Sequence, residues 1–140
     1  MTTVFFYGLF MDRALLEQKG LHPQLIGPAE VRDYRIHIGE RATLLPSPSG
    51  RAYGILMNLP DAEARALYAE PSVREYVAER VEAELFDTSE LVAADCYNLP
   101  PAIGLAGTNP AYAAELSRLV RRLGFDSAYV AQIAAFGSEL

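Results

Sequence analysis

The sequence predicts an α+β fold, a small mixed sheet that is curved or barrel-like, with helices flanking it. Three observations lead there. About five or six short strand-like segments run from Val4 to Asn98, marked by apolar runs or by period-two alternation. About three or four helical stretches interrupt and follow them. The two best-capped helices come as a pair at the end of the chain, after the last strand. A length of 140 residues, 51% apolar and 21% charged, suits one globular domain over residues 1–140.

The elements follow in order. Val4 to Tyr7 is an apolar, aromatic run that stops at Gly8, the pattern of a buried strand. Asp12 can cap a short helix to Lys19, with Leu15 and Leu16 facing inward and Gly20 ending it. From Val31 to Ile38, Tyr34, Ile36 and Ile38 alternate with Asp33, Arg35 and His37, a half-buried strand. Leu45-Pro46-Ser47-Pro48-Ser49-Gly50 has the composition of a turn, and strand-like residues resume from Arg51 to Leu59. Asp61 to Ala69 is helical and is halted by Pro71. Val77, Val81, Ala83 and Leu85 then alternate with Ala78, Arg80, Glu82 and Glu84 along a strand, and Leu91 to Asn98 forms another. Leu99 to Thr108 is a loop. Asn109-Pro110 opens a helix to about Leu123, stopped at Gly124, and Asp126 caps a last one around Tyr129 to Ala135.

Composition excludes several functions. With 18 acidic against 12 basic residues the net charge is −6, which argues against nucleic acid as a partner. The single cysteine, Cys96, rules out an intrachain disulfide, and with two histidines it leaves too few ligands for a structural zinc site. No apolar run approaches the roughly 18–20 residues of a spanning helix. The opening Met1–Gly8 lacks the basic segment of a secretory signal. A cytoplasmic protein with no membrane partner is the expectation.

Among candidate chemical groups, Cys96 falls in an apolar strand with no evident base, the setting of an inert thiol. His22, before Pro23, and His37, on the polar side of its strand, are expected at the surface. Gly104-Leu105-Ala106-Gly107-Thr108 lacks the lysine and glycine spacing of a phosphate loop. Tyr7-Gly8-Leu9-Phe10 is more informative. A buried strand that breaks at glycine before a helix presents successive N–H groups suited to an anion, although the same residues also serve a plain strand–helix bend. Glu70 closes its helix and precedes Pro71, so its backbone is pushed out of the helical region. There the helix dipole disfavours an anion, and partial burial favours an acid able to exchange protons. Glu63, Glu75, Glu79, Glu82 and Glu84 lie mid-helix, in a loop or on an outward strand face.

In order and spacing these motifs resemble the γ-glutamylcyclotransferase-like family, which includes the plant AIG2-like proteins and γ-glutamylamine cyclotransferases. The family opens with a strand ending Tyr-Gly-(Ser/Thr)-Leu or a close variant, here Val4-Phe5-Phe6-Tyr7-Gly8-Leu9-Phe10. Ala52-Tyr53-Gly54-Ile55-Leu56 fits a later Val-x-Gly-like strand start. A helix ending Leu-Asp-x-x-Glu-Gly, then Tyr and a strand, corresponds to Leu67-Tyr68-Ala69-Glu70-Pro71, then Tyr76 and the strand to Leu85. Pro110, Tyr112, Gly124 and Tyr129 match the final helices. Two departures stand out. Leu9 replaces a small hydroxyl residue, and the Glu70 segment lacks the Asp and Gly and is one residue shorter, with Glu75 the alternative register.

The resemblance implies a γ-glutamylcyclotransferase-like fold and cyclisation of a γ-glutamyl amide to 5-oxoproline, releasing an amine or amino acid. It implies Glu70 as the general acid/base, and Tyr7, Gly8, Leu9, Phe10, Tyr76 and Tyr112 as substrate-binding residues. It implies a small-molecule γ-glutamyl partner, and no metal or organic cofactor. Two other functions fit the same residues: a degenerate protein that binds a γ-glutamyl compound or carboxylate without turnover, and a biosynthetic enzyme that removes a γ-glutamyl protecting group from an amine.

Overall fold

The computed structural model describes residues 1–137. Val4, Phe5 and Phe6 are all buried, so the first strand, β1 (Thr2–Phe6), has protein on both faces. That double burial explains why it is a continuous apolar run rather than an alternating one. A short helix, α1 (Arg13–Gln18), follows one 3-10 turn and is capped by Asp12, whose carboxylate accepts from the Ala14 N–H. Two long strands, β2 (Gln24–Ile38) and β3 (Ala42–Leu59), form an antiparallel hairpin. After helix α2 (Asp61–Tyr68), strands β4 (Val77–Leu85) and β5 (Leu91–Asn98) pair antiparallel along nearly their whole length.

The five strands close into a barrel in the order β1-β3-β2-β4-β5. Its two seams are short. β1 and β5 run parallel and meet at Val4 and Asp95, and β2 meets β4 only at Ala29–Leu85 and Glu30–Glu84. After the one-turn α3 (Pro101–Gly104) come α4 (Pro110–Arg122) and α5 (Ser127–Ala134). Helix α4 buries Ala113, Leu116, Leu119 and Val120, a helical stripe that packs with Tyr129, Val130 and Ile133 of α5. Asn109 and Asp126 cap the two helices through the Tyr112 and Tyr129 N–H groups. Among the described residues, no helix is long and apolar enough to cross a membrane.

The hairpin departs from the sequence expectation. The expected strand Val31–Ile38 begins seven residues earlier, at Gln24, and Leu45–Gly50 is not where the chain reverses. Tyr34 pairs with Pro46 and Arg32 with Arg51, so residues 47–50 form a bulge opposite Asp33 and pairing resumes beyond it. Asp33 and Ser49 both take φ of 66°, and the Asp33 carboxylate accepts from the Ser49 N–H at 3.1 Å. The proline, serine and glycine content thus marks a bend within a strand. The reversal itself is the three-residue tip Gly39-Glu40-Arg41, between Ile38 and its partner Ala42. The expected loop Leu99–Thr108 contains α3, and α5 begins at Ser127, ahead of Tyr129.

Candidate active site

The chain leaves β1 at Phe6 and turns at once. Tyr7 is buried, and its hydroxyl donates to the Tyr97 carbonyl at 2.6 Å, with Asn98 Oδ1 2.9 Å away. That anchor ties the start of the turn to the end of β5. A β-carbon at Gly8 would lie 2.6 Å from the Tyr112 hydroxyl oxygen, so a larger residue there displaces the tip of that side chain. The 3-10 turn Leu9–Met11 is closed by the Met11 N–H donating to the Gly8 carbonyl. A first turn leaves its leading N–H groups, those of Leu9 and Phe10, without partners inside the turn. The Tyr112 hydroxyl meets the Leu9 amide, a contact that partly offsets the effect of burial on its ionisation.

The facing wall comes from the segment after α2. Ala69 ends the helix, and Pro71 prevents its continuation. Two consecutive turns follow, with the Val73 N–H donating to the Glu70 carbonyl and the Tyr76 N–H to the Val73 carbonyl. Tyr76 closes the segment by donating its hydroxyl to the Ala42 carbonyl. Glu70 stands on the rim with its side chain 37% exposed, and Lys19 Nζ, at the end of α1, lies 2.8 Å from its Oε1. The sequence expectation of a carboxyl group in partial burial thus meets a cation instead. Lys19 itself lies 5.9 Å from the centre of the Phe10 ring.

Between these walls is a cavity of about 340 Å³, within the range of small-molecule sites. Its floor and sides are aromatic. Tyr68 and Tyr97 stack at 3.7 Å, Phe10 meets Tyr68 edge-on at 6.1 Å, and Tyr76 lies 6.3 Å from Tyr68. Burial pushes the Tyr76 hydroxyl's ionisation up to about 12, with Arg41 opposing and Glu75 adding to the shift. Burial also raises Tyr7, Tyr68 and Tyr112. The tyrosines therefore remain neutral hydrogen-bonding groups at ordinary pH, and the charged lining is Lys19, Arg41 and Glu70.

All seven residues singled out from sequence, Tyr7, Gly8, Leu9, Phe10, Glu70, Tyr76 and Tyr112, line this one cavity. Glu75 does not. It pairs with Arg41 at 2.8 Å on the outer side of the same segment. Lys19, Arg41, Tyr68 and Tyr97 also line the cavity, and the sequence motifs do not single them out. Tyr68 carried a usable signal, standing two positions before Glu70 in the quoted motif. Arg41 carries none, because turn composition points to Leu45–Gly50 and not to the hairpin tip at Gly39–Arg41. Cys96 is buried, and its thiol is pushed up by that burial, so it is an inert core group. His22 Nδ1 sits 2.8 Å from Glu63, and His37 packs edge-on to Phe136, neither in the cavity. Among the described residues, no three His, Cys, Asp or Glu side chains are grouped as metal ligands.

A sequence profile of the family described as "Gamma-glutamyl cyclotransferase, AIG2-like" matches residues 4–115. The chain belongs to this family. The matched span runs from β1 through the barrel and the Glu70 segment into α4, so both cavity walls of this gamma-glutamyl cyclotransferase, AIG2-like chain lie inside it. Solved structures share the fold. One titled "Gamma-glutamyl cyclotransferase" superimposes with a TM-score of 0.77 at 14% identity, covering 96% of this chain and 86% of its own. YkqA from Bacillus subtilis gives 0.79 at 20% identity over 99% of this chain, which spans 55% of that protein. An AIG2-like protein from Mus musculus gives 0.60 at 13% identity, over 70% and 76% of the two chains. Among proteins with curated descriptions, none matches by sequence.

Proposed function

We propose that this family member cyclises a γ-glutamyl amide to 5-oxoproline, with Glu70 as general acid and base. The observation that carries the reading is the cavity of about 340 Å³ with the Glu70 carboxylate on one wall and the Tyr7–Phe10 turn on the other. A γ-glutamyl group folded into it has its α-amine close to its own γ-carbonyl, so confinement supplies much of the rate by positioning. The substrate's α-ammonium replaces Lys19 beside Glu70 and transfers a proton to the carboxylate. The freed amine nitrogen bonds to the γ-carbon, and the carbonyl oxygen becomes an oxyanion. N–H groups of the Tyr7–Phe10 turn and the Tyr112 hydroxyl proton are the donors available to it, the Tyr7 and Tyr76 hydroxyls being engaged with the Tyr97 and Ala42 carbonyls. Collapse breaks the amide C–N bond, and Glu70 returns its proton to the departing nitrogen. The new ring nitrogen gives up its second proton through the regenerated carboxylate to the released amine, so the products are 5-oxoproline and the amine as its ammonium ion.

Release of 5-oxoproline from γ-glutamyl amides by the purified protein, beside Glu70→Gln, tests the reading. Turnover is expected in the wild type, with a loss of about 10²–10⁴-fold in the variant at an unchanged melting temperature. Full turnover in Glu70→Gln would overturn Glu70's role. The altered Leu67–Glu70 segment and the Lys19 pairing favour one second reading, a protein that binds γ-glutamyl compounds without turnover. Thermal stabilisation by such compounds with no product would establish that reading instead.

A further inference from the structure

Two polar residues lie fully inside the described core, Thr43 at 0% and Asn98 at 2% exposure. Each is next in sequence to a residue of the cavity, Ala42 and Tyr97. Strands β3 and β5 are not neighbours in the barrel, because β1 runs between them. β1 stops at Phe6, and the parallel register Val4–Asp95 carries the next residue, Tyr7, level with Asn98 at the end of β5. There two side-chain bonds join β3 to the end of β5. The Thr43 hydroxyl accepts from the Leu99 N–H at 3.0 Å, and Asn98 Oδ1 accepts from the Leu44 N–H at 3.1 Å.

The two stitches differ in one respect. Asn98 Oδ1 also lies 2.9 Å from the Tyr7 hydroxyl, whereas the Thr43 hydroxyl bonds only to Leu99 among the described residues. The Cys96 thiol, at 3.8 Å, is a third and weak donor to the same oxygen. A backbone N–H can only donate, so the Leu44 contact fixes that atom as the amide oxygen. The Tyr7 hydroxyl thus has two acceptors, the Tyr97 carbonyl at 2.6 Å and Asn98 Oδ1. One acceptor sets a distance, and two set where the hydroxyl stands. Asn98 Nδ2 is buried with no partner among the described residues, a cost that an apolar side chain of similar shape avoids. The worth of the side chain therefore lies in its oxygen. We propose that Asn98 is a positioning residue: through the Tyr7 hydroxyl it fixes the start of the turn whose N–H groups serve the oxyanion, and so sets the rate of turnover. This rests on the proposed cyclisation and adds to it a residue outside the cavity lining.

The test follows 5-oxoproline release from γ-glutamylalanine and γ-glutamylethylamide by the wild type, Asn98→Leu, Tyr7→Phe, the double variant and Thr43→Val. Asn98→Leu is expected to lower kcat about tenfold with KM within about twofold, since a shift of a few tenths of an ångström costs less than the roughly 10²-fold of a full one. Tyr7→Phe is expected at least to match that loss, and the double variant to lose no more than Tyr7→Phe alone. Thr43→Val breaks the other stitch. It is expected to lower the melting temperature while kcat stays within about twofold. Losses that multiply in the double variant, a wild-type kcat in Asn98→Leu, or an equal kcat loss in Thr43→Val would each overturn the inference. If Asn98→Leu does not fold, Tyr7→Phe decides: a loss there supports the inference, and a wild-type kcat leaves Asn98 no route to the reaction. A wild type that turns over neither substrate refutes the cyclisation, and amide exchange then decides whether Asn98 positions the turn. Asn98→Leu, or Tyr7→Phe in its place, is expected to cost the Met11 N–H, which bonds the Gly8 carbonyl, at least about tenfold more protection than the amides of α4. An equal loss at both would show a merely structural residue and overturn the inference.

Discussion

Two concavities on the barrel invite comparison. The wider, about 630 Å³, lies where β2 and β4 part after their brief contact at Ala29 and Glu30, and strand side chains such as Arg32, Arg80, Glu82 and Glu84 line it. Its charges answer one another. Arg32 pairs with Glu84 at 3.4 Å and Arg80 with Asp95 at 3.1 Å, the arginine side chains 61% and 66% exposed. The narrower, about 340 Å³, draws on β1, α1, the β2–β3 tip, the segment after α2, β5 and α4. It gathers neutral tyrosines and turn amides around one carboxylate. Convergence of several elements on unlike chemical groups marks the site, and volume does not. A groove of solvated ion pairs is an ordinary consequence of two strands separating.

Removing a carboxylate from each cavity separates them most sharply. Glu70→Gln is expected to lose about 10²–10⁴-fold in 5-oxoproline release, whereas Glu82→Gln in the wide groove is expected to stay within about twofold, since a solvated strand carboxylate takes no part in positioning or proton transfer. Equal losses would erase the distinction. Gly8→Ala comes next. Its new methyl group meets the Tyr112 hydroxyl, so kcat/KM is expected to fall by about 10²-fold, the scale of an ångström-sized displacement in a tuned site. Its thermal melt is expected to move far less. A variant as active as the wild type would show that the Gly8–Tyr112 approach is not part of the site.

Smaller effects sharpen the same contrast. Arg80→Ala breaks an exposed pair in the groove, and denaturant titration is expected to give less than about 1 kcal/mol of destabilisation. A larger loss would mean that the groove is a cooperative structural element. The least effect belongs to His37, outside both cavities. Burial, with Arg35 nearby, holds its imidazole below the ordinary 6.5, so the folded state favours the neutral ring. The unfolded chain then binds the proton first. Stability is unaffected well above 6.5 and declines as pH falls through 6.5 toward the lowered folded value. His37→Gln is expected to flatten that part of a stability–pH curve, and an unchanged slope would contradict the assignment.

Where structure is decided by neighbours in the chain, the sequence was readable. Asp12, Asn109 and Asp126 cap the helices they precede, and Gly8 ends an apolar run that must turn. Pro71 stops α2 and so leaves Glu70 on the rim. Longer-range effects were not readable. Leu45–Gly50 has turn composition, yet the bulge opposite Asp33 absorbs it and strand pairing resumes at Arg51. The true reversal at Gly39–Arg41 is held by contacts with Ala106 and Asn109, distant in sequence, so Arg41 was missed with it. Tyr97 is a cavity residue only because α2 sets Tyr68 against it, and Lys19 only because the end of α1 lies beside Glu70.

A crystal structure of Glu70→Gln soaked with a γ-glutamyl amide asks the central question most directly. The glutamyl group is expected between the Tyr7–Phe10 turn and residue 70, with its α-nitrogen within about 3 Å of that side chain and its γ-carbonyl in line for attack. A ligand bound elsewhere, or one in the cavity with its α-nitrogen turned away from residue 70, would contradict the account.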